Sequence, residues 1–280
     1  MHLAKISDIF QFSIFSFKLR NEVSYLIAIT GKGGVGKTTV SALLIKRLIA
    51  NGKVPVLAVD ADPNSCLDAA LGVAVTGTVG RAREEVREEA ADAAANGISK
   101  QQLLEMKIAE SLVEAKGFDL IAMGRPEGSG CYCYANNVLK SVIGQIAGEY
   151  PYVVLDNEAG LENLSRRIVQ KVDMLILVSD ASNAGLETLA RLHGLALEMD
   201  ISYNKLCLIV NRLRNGRLPA KIDEIKARTK ADIVIGLPDD AEIAEFAENN
   251  KSLLGIPDGN PVVRAIDGFV KELGVRNDGY

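Results

Sequence analysis

Short runs of apolar residues alternate with longer helical patterns along the chain from residue 25 onward. Most of these runs are almost continuously apolar, which is typical of strands that are buried on both faces of a parallel sheet. The predicted strands are residues 25–30, 54–60, 119–124, 152–156, 174–180, 206–211 and 233–237. The alternation predicts an α/β fold, with a doubly wound, mainly parallel β-sheet that is flanked by helices.

Apolar positions at helical spacing predict the elements between the strands. Residues 37–50 have one apolar stripe and end before Asn51-Gly52, which is a C-terminal cap signal. Residues 186–199 and 261–273 show similar stripes, and residues 76–116 predict two helices with charged, solvated faces. No internal repeat or linker interrupts residues 25–280, so we expect a single domain there.

The first 24 residues form an N-terminal extension with a different pattern, because they hold four of the seven Phe residues. Gln11, Ser13 and Ser16 interrupt the apolar run, so the segment does not match a signal peptide. It is also too short and too polar to span a bilayer. The alternation fits an added edge strand, a surface hairpin or a start that is not part of the native protein, and no function is assigned to it.

Composition and charge narrow the class of protein. Hydrophobic residues make up 48% of the 280 residues and aromatic residues only 5%, which suits helices packed on a parallel sheet. The net charge is −4 with Lys and Arg scattered, so there is no electrostatic footprint for nucleic acid. Four unevenly spaced cysteines do not make a disulfide framework, and we expect a cytoplasmic protein.

The apolar stripe of the last predicted helix raises the question of a membrane partner. Its polar face mixes Arg264 and Lys271 with Asp267 and Glu272. A membrane-binding helix would carry a basic polar face instead. We therefore expect this helix to pack against the sheet, and we expect no membrane partner.

The sequence GKGGVGKTT, residues 31–39, follows the first predicted strand and opens the first predicted helix. It satisfies the pattern G-x-x-x-x-G-K-[ST], in which backbone N–H groups and a helix N-terminus surround a phosphate. Lys37 is expected to reach the β- and γ-phosphates, and the Thr38 hydroxyl to bind Mg²⁺. The predicted nucleotide-binding residues of this phosphate loop are Gly33, Gly34, Val35, Gly36, Lys37, Thr38 and Thr39.

Lys32, a second lysine just after the first glycine, resembles the deviant phosphate loop of the P-loop NTPase family that contains the nitrogenase iron protein, the arsenite-pump ATPase and the Min/Par ATPases. The resemblance covers nearly the whole chain from residue 25. It implies a Mg²⁺-dependent ATPase, converting ATP and water to ADP and phosphate, that works as a homodimer. Lys32 would then reach the nucleotide of the partner subunit, where a cation stabilises the transferring phosphoryl group as an arginine finger does.

The same resemblance assigns roles to residues at the carboxyl ends of two later strands, where ligands of such sheets bind. Asp62 matches the first switch aspartate, which orients or deprotonates the attacking water, and joins Lys32 and Lys37 as a catalytic residue. Asp156 matches the second acidic motif and would hold Mg²⁺. Gly160 would sense the γ-phosphate through its backbone. Asp60 either supports the metal or bonds the loop backbone.

Two segments near the end of the chain match the base-binding positions of the family. Asn211 and Arg212 in the sequence IVNR match the position where an asparagine amide reads adenine. Pro238 and Asp239 in GLPDD match the loop that closes over the base. The guanine signature N-K-x-D is absent from the sequence, so ATP and ADP are favoured over guanine nucleotides.

Cys131 and Cys133 form a Cys-x-Cys pair behind a glycine-rich segment. Soft-metal sites commonly use four ligands, and one chain offers only two close together. A twofold dimer would supply a shared Cys₄ site for Ni²⁺ or Zn²⁺. The alternatives are two incidental thiols or a redox pair, whose disulfide would close a small, strained ring. Cys207 lies in a predicted core strand and Cys66 follows the first switch.

The segments GRPEGSGCYCYANN and LDNEAGLENLSRR resemble the CooC-type accessory ATPases of carbon monoxide dehydrogenase. This resemblance implies nickel insertion, with the apo-form of carbon monoxide dehydrogenase as the client. Two other functions stay open: a Min/Par-type positioning or partition ATPase, and an iron–sulfur, ATP-dependent reductase like the nitrogenase iron protein. The iron protein takes its two cysteines per chain from separate segments, so the adjacent pair here argues against its cluster.

Overall fold

The computed structural model describes residues 24–64, 66–125, 132–160 and 171–273, with the backbone alone for residues 132–138. The strands are β1 (Tyr25–Gly31), β2 (Val56–Asp60), β3 (Val113–Ala115), β4 (Phe118–Ala122), β5 (Tyr152–Asp156), β6 (Lys171–Asp180), β7 (Ser202–Leu213) and β8 (Ile233–Pro238). The α-helices are α1 (Lys37–Ala50), α2 (Leu67–Leu71), α3 (Val79–Ala95), α4 (Lys100–Ser111), α5 (Tyr132–Ile146), α6 (Asn183–Glu198), α7 (Lys221–Thr229), α8 (Ala241–Glu248) and α9 (Pro261–Leu273). Short 3₁₀ turns lie at Ala147–Glu149 and Leu253–Gly255.

All eight described strands belong to one sheet, in the order β3-β4-β2-β5-β1-β6-β7-β8. Only the β3–β4 pair is antiparallel, and every other neighbouring pair is parallel. The predicted α/β class with a mainly parallel, doubly wound sheet is therefore confirmed. In this order β1 lies between β5 and β6, and β5 separates it from β2, so the carboxyl ends of β1, β2 and β5 share one edge of the sheet.

The core consists of two apolar layers, one on each face of the sheet. Along β1 the side chains alternate between them, since Ala28 joins one layer whereas Ile27 and Ile29 join the other. All three are fully buried, as the continuous apolar pattern predicts. The layer on the Ile27 face also contains α1 and α9, and it supports the helix that begins at the phosphate loop.

Helix α9 packs against the core, as predicted, because its whole apolar stripe is buried. Its polar side is bonded to α1. Arg47 donates hydrogen bonds to Asp267 at 2.8 Å and to Asp258 at 2.7 Å. Hydrogen bonds from Lys271 and Asn51, followed by Arg47, hold the pKa of Asp267 well below its usual range.

Within the described residues, no helix is long and apolar enough to cross a membrane.

The element boundaries differ from the prediction where polar residues extend an element. Strands β6 and β7 begin at Lys171 and Ser202, which pair with each other before the apolar runs start. Helix α6 begins at Asn183, because the Ser182 side chain accepts a hydrogen bond from the Gly185 N–H and caps it. Strand β3 was not predicted, since three residues are too few to show a period.

Gly31 ends β1 in close contact with β6, and this contact generates a stability prediction. A Cβ at this position would overlap the carbonyl oxygen of Val178 on β6. We expect Gly31→Ala to lower the free energy of unfolding by about 3 kcal/mol, because neighbouring parallel strands must separate to admit the methyl group. Urea denaturation measures the change.

Gly194→Ala in α6 is the matched control, since no atom lies within 4 Å of the added Cβ. Its stability should be unchanged or raised by up to about 1 kcal/mol, because alanine favours the helix more than glycine does. A Gly31→Ala protein that unfolds at the wild-type midpoint would contradict the close packing of β1 on β6.

Candidate active site

The phosphate loop connects the end of β1 to the start of α1 at the shared sheet edge. Gly34 and Gly36 have φ values of +78° and +91°, in the left-handed region that favours glycine. Among the described residues no side chain caps the N-terminus of α1. The first backbone N–H groups of the helix and its positive dipole end can therefore serve a phosphate.

Asn211 braces this loop from the end of β7. Its side-chain amide donates a hydrogen bond to the Val35 carbonyl oxygen at 2.9 Å, and its Oδ1 accepts one from the Arg212 N–H. A Cβ on Gly36 would come within 2.5 Å of the same amide nitrogen. Asn211 therefore contacts the phosphate loop directly, and its predicted contact with adenine stays a prediction.

The two lysines of the loop occupy different environments. Lys37 is buried, and its ammonium group donates a hydrogen bond to the Lys32 carbonyl oxygen at 3.3 Å. Burial lowers the pKa of Lys37, against the opposing charges of Asp156, Asp62 and Glu158. The side chain of Lys32 is exposed. This arrangement leaves Lys37 inside the site and Lys32 accessible from outside it.

Asp156 ends β5 beneath the phosphate loop and is 2% exposed. Its carboxylate accepts hydrogen bonds from the hydroxyl groups of Ser41, at 3.0 Å, and Thr38. Burial raises the pKa of Asp156 to about 6, although these hydroxyls and Lys37 act in the opposite direction. Mg²⁺ prefers carboxylate, hydroxyl and water oxygens, so the adjoining groups of Thr38 and Asp156 fit the cation.

Asp60 ends β2 next to Asp156, which is its register partner on β5. Its two oxygens accept backbone hydrogen bonds from Asp62 and from Cys66 and Leu67, each at 3.0 Å. Burial raises the pKa of Asp60 to about 7. Asp60 was expected either to support the metal or to bond the loop backbone. The contacts favour the second role, because both carboxylate oxygens already accept hydrogen bonds from backbone N–H groups.

Asp62 lies in the loop that Asp60 holds. It is partly buried, and its Oδ1 accepts hydrogen bonds from the backbone N–H of Asn64 at 2.8 Å and from the Asn64 side-chain amide at 3.1 Å. The charges of Asp156 and Asp62 both raise the pKa of Lys37, against the larger effect of burial. The structure thus brings the predicted water-orienting carboxylate to the same sheet edge as the phosphate loop.

Gly160 is fastened to the end of β1 by two hydrogen bonds. Its N–H donates to the Gly31 carbonyl oxygen at 3.0 Å, and its carbonyl oxygen accepts from the Thr30 hydroxyl. Gly160 has a φ of +88°, which favours glycine. Its N–H must exchange the Gly31 carbonyl for another acceptor in order to sense a γ-phosphate, and that role stays a prediction.

Sequence reasoning missed two supporting residues, Thr30 and Ser41. Both are fully buried polar side chains in apolar elements, and both hold predicted site residues, Gly160 and Asp156. The available signal was weak but physical. A hydroxyl within an otherwise apolar strand or stripe needs a hydrogen-bond partner, and here the partners lie at the end of β5 and just after it.

The predicted base-binding residues line one cavity beside α1. Its apolar wall comes from Ile243, Ala244 and Ala247 of α8 and from residues of α1. The remaining lining includes Thr39, Asn211, Arg212, Pro238 and Asp239. An apolar wall with convergent polar groups suits a planar base, and the cavity adjoins the phosphate loop through Thr39.

The cysteine pair is described only in part. Cys131 lies outside the described residues, as do residues 1–23, and of Cys133 only the backbone is described, in the first turn of α5. Cys66 is exposed and Cys207 is buried, and both are free thiols. Within the described ranges, there is no cluster of three or more His, Cys, Asp or Glu side chains that could hold a metal ion. The Cys₄ site stays a prediction.

The buried carboxyl of Asp156 makes the stability of the nucleotide-free protein depend on pH. Because its folded pKa is raised to about 6, its contribution to stability is greatest below the unfolded value and is lost as the pH rises through about 6. Without Mg²⁺ at pH 8 we expect Asp156→Asn to unfold at higher temperature than wild type, by the equivalent of about 1–3 kcal/mol. The difference should shrink as the pH falls below about 6 and disappear only below about 4, where the carboxyl is protonated in both the folded and the unfolded protein, as thermal melts will measure.

Asp267→Asn is the control of opposite sign, because the pKa of Asp267 is lowered by its partners in the folded protein. At pH 8 this variant should be less stable than wild type. An Asp156→Asn protein that is also less stable at pH 8 without Mg²⁺ would contradict the buried-charge account.

Comparisons with known proteins show the family of this chain. The family model described as CobQ/CobB/MinD/ParA nucleotide binding domain matches residues 26–254. An uncharacterised ATP-binding protein of Methanocaldococcus jannaschii is 41% identical over 249 residues, which cover 89% of this chain and 98% of that protein. The carbon monoxide dehydrogenase accessory protein CooC of Rhodospirillum rubrum is 31% identical over 230 residues, which cover 78% of this chain and 84% of CooC.

Among solved structures, the MinD cell division protein of Aquifex aeolicus matches with a TM-score of 0.64 and 22% identity, over 89% of this chain and 96% of that chain. That likeness shows the fold. The family match extends from β1 to the segment after α8 and includes the phosphate loop. The chain therefore belongs to the CobQ/CobB/MinD/ParA nucleotide-binding family, as an ATP-binding P-loop ATPase domain.

Proposed function

We propose that this ATPase is a dimerising metallochaperone that couples the hydrolysis of ATP to the insertion of nickel into carbon monoxide dehydrogenase. The observation that carries the proposal is the position of β4. This strand pairs with β2, with Ala122 opposite Asp60, and the Met123 N–H donates to the Asp60 carbonyl oxygen at 2.8 Å. The chain that leads to the cysteine pair thus departs beside the loop of Asp62. The similarity to CooC supports the choice of cargo and client.

The proposed reaction converts ATP and water to ADP and phosphate. Lys37 and the N–H groups of the phosphate loop would bind the phosphates, and Asp62 would orient or deprotonate the water that attacks the γ-phosphorus. Thr38 and Asp156 would hold Mg²⁺, which neutralises charge on the β- and γ-phosphates when bound. The bond between the γ-phosphorus and the bridging oxygen breaks, and ADP leaves.

The exposure of Lys32 supports a homodimer in which each subunit completes the site of the other. A twofold contact repeats every interaction, so two lysines would cross the interface together. The same axis would bring two Cys-x-Cys pairs together, and four thiolates suit a soft divalent cation. Nickel is cargo in this proposal, and zinc competes for the same thiolates.

Nickel binding tests the proposed cargo site. Equilibrium dialysis without oxygen, with light scattering on the same samples, compares wild type with Cys131→Ala/Cys133→Ala without nucleotide, with ADP and with a non-hydrolysable ATP analogue. We expect about one nickel per dimer in wild type, an affinity that changes with nucleotide, and loss of binding in the double variant.

Two outcomes would replace the proposal. If neither protein binds nickel and both still dimerise with ATP, the partition-type function is favoured. If the protein purified without oxygen is brown and a chelator bleaches it, the iron–sulfur reductase is favoured.

Lys32 is tested by complementation between two inactive variants. We expect Lys32→Ala and Asp62→Ala each to lose at least about a hundredfold in kcat, because one lacks the lysine in trans and the other lacks the water-orienting carboxylate. In a mixed dimer, the subunit that keeps Asp62 receives Lys32 from its partner. A mixture should therefore regain about a quarter of wild-type activity, since half the dimers are mixed and each has one complete site.

Lys37→Ala mixed with Asp62→Ala is the control. Lys37 and Asp62 act in the same subunit. In this mixed dimer the site of one subunit lacks Lys37 and the site of the other lacks Asp62, so neither site is complete and no activity should return. If the mixture of Lys32→Ala and Asp62→Ala also regains no activity, the role of Lys32 in trans is contradicted.

A further inference from the structure

Asp62 is held by the amide of Asn64, and this contact is the first step of a chain of side chains. The Asp62 carboxylate accepts both the backbone N–H and the side-chain Nδ2 of Asn64. Asp60 fastens the loop on both sides, through the N–H groups of Asp62 and Cys66. The orientation of the Asn64 amide therefore influences where the Asp62 carboxylate points.

Arg125 contacts the other end of the same amide. Its guanidinium donates a hydrogen bond to the Oδ1 of Asn64. The two residues lie 61 positions apart in the chain and come from the ends of neighbouring strands, β2 and β4. The Asn64 side chain thus bridges Arg125 and Asp62, with its oxygen toward one and its nitrogen toward the other.

The backbone before Arg125 is fixed from two sides. The Met123 N–H donates to the Asp60 carbonyl oxygen at 2.8 Å, and the Met123 carbonyl oxygen accepts from Gly80 at 2.9 Å. Gly124 has a φ of +64°, and a Cβ there would come within 2.5 Å of Thr78. Arg125 is therefore placed by the ends of β2 and β4 and by the start of α3.

The chemistry of the three side chains permits one orientation of the amide. A guanidinium has only donors, so it requires the oxygen of Asn64, and an ionised carboxylate has only acceptors, so it requires the nitrogen. Loss of the guanidinium removes the group that selects the amide oxygen. Asn64 is exposed, and without Arg125 its side chain can rotate away from Asp62.

We propose that Arg125 is a positioning residue that acts through Asn64 on the Asp62 carboxylate. The proposal rests on the catalytic role of Asp62 in the proposed function, and it does not depend on the metal.

A double-mutant cycle on ATP hydrolysis tests the relay to Asp62. We expect Arg125→Ala and Asn64→Ala each to lower kcat about tenfold at nearly unchanged KM, because Asp62 loses its orientation and the phosphate contacts stay. The double variant should be no slower than either single variant, since both remove the same link. Arg125→Lys keeps a cationic donor and should recover part of the rate.

Arg87→Ala is the matched control, because this arginine is exposed on α3 and pairs with Glu84. It should keep the wild-type kcat and KM.

Wild-type kcat in Arg125→Ala, or additive effects of the two substitutions, would overturn the relay. If the wild-type protein binds no nickel, the proposed cargo fails, and the cycle on kcat still decides whether Arg125 positions Asp62.

Discussion

Two buried carboxyl groups, those of Asp60 and Asp156, lie side by side at the sheet edge, and the loops and helix around them are held by hydrogen bonds to these groups. Parallel pairing of β2 with β5 places them opposite each other in register. A buried carboxylate is unfavourable unless donors or cations surround it. Asp60 meets this requirement with backbone N–H groups of its own loop, and Asp156 does so with hydroxyl groups of α1. The same requirement therefore holds the loop after β2 in place and fixes the helix that begins at the phosphate loop.

The repetitive parts of this arrangement could be predicted from the sequence. A strand buried on both faces has a continuous apolar run, which is why β1 and β5 were located closely, and α1 and α9 have clear stripes and end signals. Strand β3 has no such pattern. The contacts of Thr30, Ser41 and the pair Asn64–Arg125 join segments that are distant along the chain, and periodicity carries no information about which side chains meet there.

Asn211 and Gly160 illustrate how a residue type is easier to predict than its partners. Both lie at the expected sheet edge, but in this structure their hydrogen bonds go to the protein. The Asn211 amide is bonded to Val35, and the Gly160 N–H is bonded to Gly31. Each bond joins a predicted ligand-binding residue to the backbone of the phosphate loop. If the Gly160 N–H binds a γ-phosphate as predicted, it must first release the Gly31 carbonyl oxygen.

The order of strands explains how the loop of Asp62 lies between the phosphate loop and Arg125. Strand β5 separates β1 from β2, and β4 lies on the far side of β2, so the loop of Asp62 borders the phosphate loop through β5 and the start of the cysteine segment through β4. A change at Asp62 therefore has only one side chain, Asn64, to cross before it reaches Arg125. Such a short connection needs no deformation of the core, whose close packing resists gradual movement. The link between Asp62 and Arg125 accordingly lies in the loops at the sheet edge, where side chains can change partners while the core stays packed.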